Sequence, residues 1–183
     1  MTIESIPAGL NTGVWNLDNS HSEVGFSVRH AGISKVRGKF GEVTATATVG
    51  ETLGDSSVTV SIKAESFSSG DANRDAHVRS GDFLDSEQFP ELTFTSTSIS
   101  CQGETYALNG DLTIRGVSHP VTFETEFNGA VVDQFGTSRA GFSGQTTISR
   151  KEFGLTWNAA LEAGGVLVGD KVTISIEAEF VAD

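Results

Sequence analysis

The side chains best equipped for chemistry in this chain are arginines and histidines, and three of them crowd one short segment, Arg74-Asp75-Ala76-His77-Val78-Arg79. Arginine presents a rigid fork of N–H donors and histidine a titratable one, groups suited to holding phosphate or quinone oxygens. Arg74, His77 and Arg79 therefore form one candidate grip for a polar head group, with Arg29, His30 and Arg150 as further candidates. The competing arrangement is a solvated loop in which Arg74, Asp75, Arg79 and Asp82 satisfy one another and cap short helices. For catalysis, the segment offers an acid and a base in Asp75 and His77, which at a pocket mouth could turn over an ester or an epoxide.

Other chemistries find little support. His21, His30, His77 and His119 are scattered, without the His-x-x-x-His or close His/Cys spacing of a zinc site, so no metal is expected. Cys101 is the lone cysteine: it cannot form an internal disulfide, and its neighbours Ser100 and Gln102 supply no cation to activate a thiolate. There is no Gly-x-Ser-x-Gly elbow, phosphate-cradling glycine loop or dinucleotide fingerprint, and Gly141-Phe142-Ser143-Gly144 sits in a strand-like run. His21 with Ser22 reads as a bend held by backbone hydrogen bonds. No catalytic residue and no cofactor are assigned, and the expectation is a binding protein, not an enzyme.

Acidic residues number 24 against 12 basic ones, a formal charge of −12. Such a surface repels a nucleic-acid backbone and disfavours a non-specific hold on anionic membranes, so nucleic acid is not expected as a partner and any docking to lipid must be local. Met1 to Val14 carries no basic leader and no apolar run, which points to the cytoplasm. The most apolar stretch, around Gly164 to Val168, falls far short of the ~20 residues of a membrane-spanning helix, so no transmembrane segment is expected.

The elements that must position these groups are strands. Apolar and polar residues alternate with period two from residue 22 onward: Val24, Phe26, Val28 and His30 against Gly25, Ser27 and Arg29; Val43, Ala45, Ala47 and Val49 against threonines. The same pattern runs through Val58, Val60 and Ile62, Leu92 and Phe94, Leu108, Leu112 and Ile114, and Val121, Phe123 and Phe127. It is clearest in Val172, Ile174, Ile176, Ala178 and Phe180, whose opposite face is acidic. No apolar helical period long enough for a βαβ crossover appears, so the sheet is antiparallel. Turns are expected at Gly50 to Gly54, Gln102-Gly103-Glu104, Gly116-Val117-Ser118 and Asn128-Gly129.

Alternating runs above ten residues predict a tall, closed all-β barrel of about eight antiparallel strands, lipocalin-like, with room inside for one slender ligand. Only 65–90 breaks the alternation; it reads as a crossover with one or two short helices, and Phe67, Val78, Phe83, Leu84 and Phe89 anchor it as a lid. The division expected is a flexible segment at 1–12 and one barrel domain at 13–183. The candidate apolar tunnel comprises Phe26, Val28, Val60, Ile62, Phe83, Leu84, Phe94, Leu112, Ile114, Phe123, Phe142, Trp157, Ile174 and Ile176.

A longer pattern overlies this reading. Trp15-Asn16-Leu17-Asp18, His21-Ser22, Val24-Gly25-Phe26, Val28-Arg29-His30 and Val36-Arg37-Gly38-Lys39-Phe40 follow one another in order. Arg74 to Ser80, Asp82 to Asp85, Phe89-Pro90, Leu108 to Val117 with Pro120-Val121, Gly141-Phe142, Ile148 to Gly154 and Val168 to Val172 continue it across almost the whole chain. In these motifs the chain resembles the YceI-like family. The resemblance implies an extended lipocalin-like barrel that binds a polyisoprenoid or similar amphiphilic lipid, such as a prenyl quinone or polyprenyl phosphate, often as a homodimer and without catalysis. Two alternatives stay open: a filled barrel acting as a stress-associated interaction module, and a hydrolase-type enzyme at the barrel mouth.

Overall fold

Strand-forming residues and turn chemistry divide the chain as the alternation requires. The structure, a computed structural model, describes residues 4–183. The strands are β1 (Gly13–Leu17), β2 (Glu23–His30), β3 (Ser34–Phe40), β4 (Val43–Val49), β5 (Ser57–Lys63), β6 (Phe67–Ser68), β7 (Glu91–Gln102), β8 (Thr105–Ile114), β9 (Val117–Val132), β10 (Ser138–Ser149) and β11 (Val168–Ala182). The α-helix in the crossover, α1, spans Ala72–Arg79, with Asp71 as its N-cap accepting from the Arg74 N–H.

All described pairings are antiparallel, and the order β1-β4-β5-β7-β8-β9-β10-β11 returns to β1, closing an eight-stranded barrel among the described residues. β9 and β11 run 16 and 15 residues, about 50 Å when extended. Along one edge β11 pairs first with β2, from Val168 against His30, and then with β1, ending at Ala182 against Trp15. β1 and β2 are thus one long strand broken at Asn19–His21, and β3 and β4 are a second, broken at Gly41-Glu42.

The two breaks are stitched together. Asn19 donates through its side-chain amide to the Gly41 carbonyl (2.8 Å) and accepts from the Val43 N–H. Ser22 Oγ donates to the Asp18 carbonyl (2.7 Å) and accepts from the Glu179 N–H (3.0 Å), which fixes the bend as the sequence suggests. His21 contributes differently, through a 2.8 Å contact of Nδ1 with the Asp18 carboxylate.

One expected turn is corrected. Asn128-Gly129 lies inside β9, where the pairing with β10 passes from Gly129–Gly141 to Phe127–Phe142 and leaves Asn128 as an extra residue. The positive φ of Gly129 (123°) serves a β-bulge, which bends the long strand without ending it. The hairpin turns instead at Asp133–Thr137, where the Asp133 carboxylate accepts from the Phe135 and Thr137 N–H groups. At the other expected positions the turn after β8 is Arg115-Gly116, with Val117 and Ser118 already in β9.

Of the segment expected to be flexible, residues 1–3 lie outside the described residues. Glu4 to Leu10 are seated on the barrel end: Leu53 N–H donates to the Glu4 carbonyl, Cys101 N–H to its carboxylate (2.8 Å), and Ser5 bridges Thr52. Ile6 and Leu10 pack against the cluster of Trp15, Ala45, Val49, Ala140 and Phe180. A second, larger cluster around Phe67, Phe94, Phe123 and Phe153 occupies the opposite half. Among the described residues no helix is long and apolar enough to cross a membrane.

Closure is reinforced on the outside by Arg139. Its Nη1 lies 2.9 Å from both Asp18 and Glu179, and its Nε 2.9 Å from Asp133. Hydrogen bonds from Ser20, His21 and Arg139 hold the Asp18 carboxyl well below its ordinary range, and the Asp18 carboxylate raises His21 above its own. The depressed carboxylate stabilises fully near neutral pH and loses its contribution as pH falls through the carboxylate range. The raised imidazole does the opposite, contributing fully below its ordinary value of 6.5 and fading as pH rises through the higher folded value. Thermal midpoints measured from neutral pH down to pH ~2 will therefore fall more steeply for the unmodified chain than for Asp18→Asn, which is less stable at neutral pH but has no carboxylate there to protonate.

Candidate functional site

The inward faces of the strands leave a cavity of about 570 Å³ in the half of the barrel nearer α1. Alternation puts Phe26 and Val28 of β2, Ile62 of β5, Phe94 of β7, Leu112 and Ile114 of β8, and Ile174 of β11 on its wall. Phe83, Leu84 and Trp157 come from the loops that cover it. A smaller chamber of about 170 Å³ lies beyond it, lined among others by Phe142, Ala47, Ala178, Tyr106, Ile6 and Leu10. Val60, Phe123 and Ile176, with Val24 and Leu108, line both and form the waist between them. Every candidate tunnel residue lines one chamber or the other, Phe142 only the lower.

Close packing on one wall depends on a glycine. Phe26 pairs across the strands with Gly38 and stacks on Phe67 at 5.1 Å; a Cβ on Gly38 would lie 2.6 Å from the Phe26 ring. The ring lies across the glycine and closes the surface that a missing side chain would leave open.

The arginines and histidines of the lining concentrate at one end. Arg74, His77, His30 and Arg150 all line the upper chamber, together with Arg29. His77 sits 2.9 Å from the Asp82 carboxylate and meets Trp157 and Phe83 edge-on, at 4.6 and 5.0 Å between ring centres. Arg74 is held by Ser69, with Nε 2.8 Å from its Oγ and Nη2 2.9 Å from its carbonyl. Asp75 is buried and accepts from the Ser69 N–H and hydroxyl. The acid and base considered from sequence are thus not paired: His77 takes Asp82, and Asp75 takes Ser69. Nor do Arg74, Asp75, Arg79 and Asp82 simply satisfy one another.

Arg79 does not line the cavity. Its Nη2 donates to the Phe67 carbonyl behind the wall, and its buried Nε has no hydrogen-bond partner. Within α1, Arg74 and His77 are three residues apart and share a face, whereas Arg79, five from Arg74, leaves that face. Asn73, by contrast, reaches the cavity and was not expected there.

Arg150 is 3 % exposed. Nε donates to the Gly169 carbonyl (2.8 Å), Nη1 to those of Leu155 (2.6 Å) and Trp157 (2.9 Å), and Nη2 to that of Val168 (3.2 Å). One guanidinium so clamps the segment after β10 to the start of β11. Its centre stands 6.0 Å from the Phe83 ring. Burial pushes its pKa down, opposed by the field of Asp170, and among the described residues no carboxylate lies within ion-pair distance of it. The cavity mouth therefore carries a buried positive charge with carbonyl, not carboxylate, partners.

Among the described residues the one convergence of metal-ligating groups is Asp18, His21 and Glu179. Arg139 already stands between the two carboxylates, supplying the positive charge that an ion would. Cys101 is exposed at the end of β7, far along the strand from the cavity wall at Leu92 and Phe94.

The family model of the YceI-like domain matches residues 15–180. A UPF0312 protein of Vibrio campbellii is 38% identical over 153 residues, 81% of each chain, and one of Staphylococcus aureus is 35% identical over 169 residues, 91% of this chain and 96% of its own. Among solved structures, the Campylobacter jejuni YCEI protein superposes with a TM-score of 0.71 at 28% identity, covering 91% of this chain and 96% of that one. A polyisoprenoid binding domain from Saccharophagus degradans, 13% identical, has the same fold at a TM-score of 0.71, covering 94% of this chain and all of that one. With the family model and the curated relatives both spanning most of its length, this chain belongs to the YceI-like family.

Proposed function

We propose that the chain binds one long-chain polyisoprenoid or similar amphiphilic lipid inside the barrel and shields it from water without altering it chemically. The observation that carries this reading is the lengthwise asymmetry of the cavity: a largely apolar wall from floor to waist, with Tyr106 and Glu177 as its titratable exceptions, and every arginine and histidine of the lining at the mouth. The polyisoprenoid binding domain of like fold supports it, as does a volume within the roughly 300–1,000 Å³ of small-molecule sites. A filled barrel would not have such a space. The Asp75 and His77 pair offered by the sequence for catalysis does not form, since Asp75 takes Ser69, and the His77 that Asp82 holds at 2.9 Å is read as part of the head-group grip.

Magnitudes favour a long tail. Each buried methylene contributes about 0.8 kcal/mol, and association costs on the order of 4–15 kcal/mol, so at least several carbons must be buried before binding is favourable. A group the size of a water molecule takes roughly 30 Å³, so the upper chamber admits on the order of 20 heavy atoms and the lower a few more. A prenyl quinone or polyprenyl phosphate would place its tail toward the waist and its oxygens near Arg74, His77, His30 and Arg150. A homodimer and a transport role are part of the same proposal; the exposed Val131, Val132 and Phe135 at the far end supply an apolar surface for a second copy.

Mass spectrometry of an organic extract of the natively expressed protein should find a stoichiometric isoprenoid. An empty extract, with no thermal shift on adding prenyl lipids, would instead favour an interaction module that takes no ligand, and hydrolysis of an added prenyl ester would favour an enzyme. In a series of prenyl alcohols, affinity should rise with tail length to a plateau at roughly 20–25 carbons, and Ala178→Phe, which fills the lower chamber, should shorten the plateau by roughly five carbons. Arg150→Met should cost on the order of 3 kcal/mol in unfolding free energy even without ligand, because four carbonyls lose a charged donor; a neutral result would mean that Arg150 serves the ligand alone.

A further inference from the structure

The outer face of the β2–β3 hairpin runs against the charge of the molecule. Arg29 pairs across the strands with Lys35, Ser27 stands opposite Arg37, and Lys171 precedes the β11 residue that faces Val28. Arg29, Lys35, Arg37 and Lys171 are exposed, and among the described residues none of them makes an ion pair or a side-chain hydrogen bond. Lys39, farther down the same face, is held by Glu23. Four cations without a direct ion pair thus share one patch on a chain of net charge −12, with two acidic exceptions: Asp170, whose carboxylate is held by Ser149 and the Lys151 N–H and feels the field of Lys171, and Glu162 on the neighbouring loop.

The hairpin tip above this patch is apolar. Ile33 is 84% exposed, and Ala31 N–H donates to the Leu167 carbonyl (2.7 Å), which brings the tip beside the loop that carries Val166, 51% exposed. The same two segments edge the cavity, since Arg29, His30, Leu167 and Val168 line it. An exposed aliphatic pair, a ring of unpaired cations beneath it and an apolar cavity opening alongside match the layering of a membrane surface, hydrocarbon below and phosphate above. An acidic polypeptide would meet the cations but leave Ile33 in water.

We propose that this end of the barrel docks on anionic bilayers, with Ile33 and Val166 entering the acyl boundary and Arg29, Lys35, Arg37 and Lys171 meeting lipid phosphates. The docking deepens the lipid-binding reading and rests on it for its purpose, but it has its own readout: vesicles need contain no isoprenoid, and ligand binding is measured without vesicles. Failure of one assay leaves the other standing.

The test is co-sedimentation of the full chain with vesicles of equal parts phosphatidylglycerol and phosphatidylcholine, compared with phosphatidylcholine alone. Binding is expected only to the anionic vesicles and should weaken with salt. Lys35→Gln and Arg37→Gln should each lower the partition coefficient about fivefold, and Ile33→Asp about tenfold or more. The Gln102→Ser chain, altered at the exposed end of β7 at the opposite pole, should bind as the unmodified chain does. Absence of binding to anionic vesicles, equal binding by Lys35→Gln, Arg37→Gln and the unmodified chain, or loss of binding in the opposite-end variant would each overturn the proposal. So would binding that ignores Ile33→Asp, which would point to an acidic macromolecule recognised by charge alone.

Discussion

The architecture depends on one strand edge having two partners. β11 must pair with β2 along its first half and with β1 along its second, so the chain has to bend between them without releasing the edge. Asp18, Asn19 and Ser22 accomplish this with side chains that replace the ladder bonds lost at the break, and Arg139 crosses the outside of the same junction. With that edge shared, the eight strands close, and closure removes free sheet edges and sets the width of the interior. The Trp15 to Ser22 segment is therefore first of all a joint, which accounts for its density of small polar residues, although Leu17 and Ser22 also line the lower chamber.

The interior divides the work of holding the barrel together from that of leaving space in it. Cross-strand aromatic contacts, Phe94 on Phe123 and Phe26 on Phe67, keep the wall rigid, while the centre stays unfilled by side chains. At the mouth, Arg150 gives a loop without regular secondary structure the backbone partners it lacks, and in doing so sets a positive charge beside the opening. The guanidinium that holds these four carbonyls also lines the upper chamber, which suits arginine: its planar fork satisfies several carbonyls where a lysine could reach fewer.

Fold and wall were legible because period two is a local signal. The alternation of Val172 to Phe180 or Val43 to Val49 tells inside from outside without any long-range contact. Asn128-Gly129 misled because the same dipeptide supports a hairpin turn or a bulge, and only the register against β10 decides between them. Asp133-Gln134-Phe135-Gly136 gave a weaker local signal, since its turn is held by the Asp133 side chain. The mouth was less legible. Arg74, His77 and Arg79 look equivalent in sequence, and the helical rotation of α1 separates Arg79 from the other two. Ile6 and Leu10 have no period to reveal them, although an apolar residue on either side of Pro7 in an otherwise polar stretch was a usable hint of burial.

The described chain begins and finishes at the same pole. Glu4 is held by Leu53 and Cys101, and Asp183 is fixed by its N–H to Val14 and its carboxylate to Asn16, all at the end of the barrel away from α1. Anything joined to either terminus would leave from there. A tether, a fused domain or an immobilising surface would consequently hold the molecule like a cup by its base, with the rim turned outward and unobstructed.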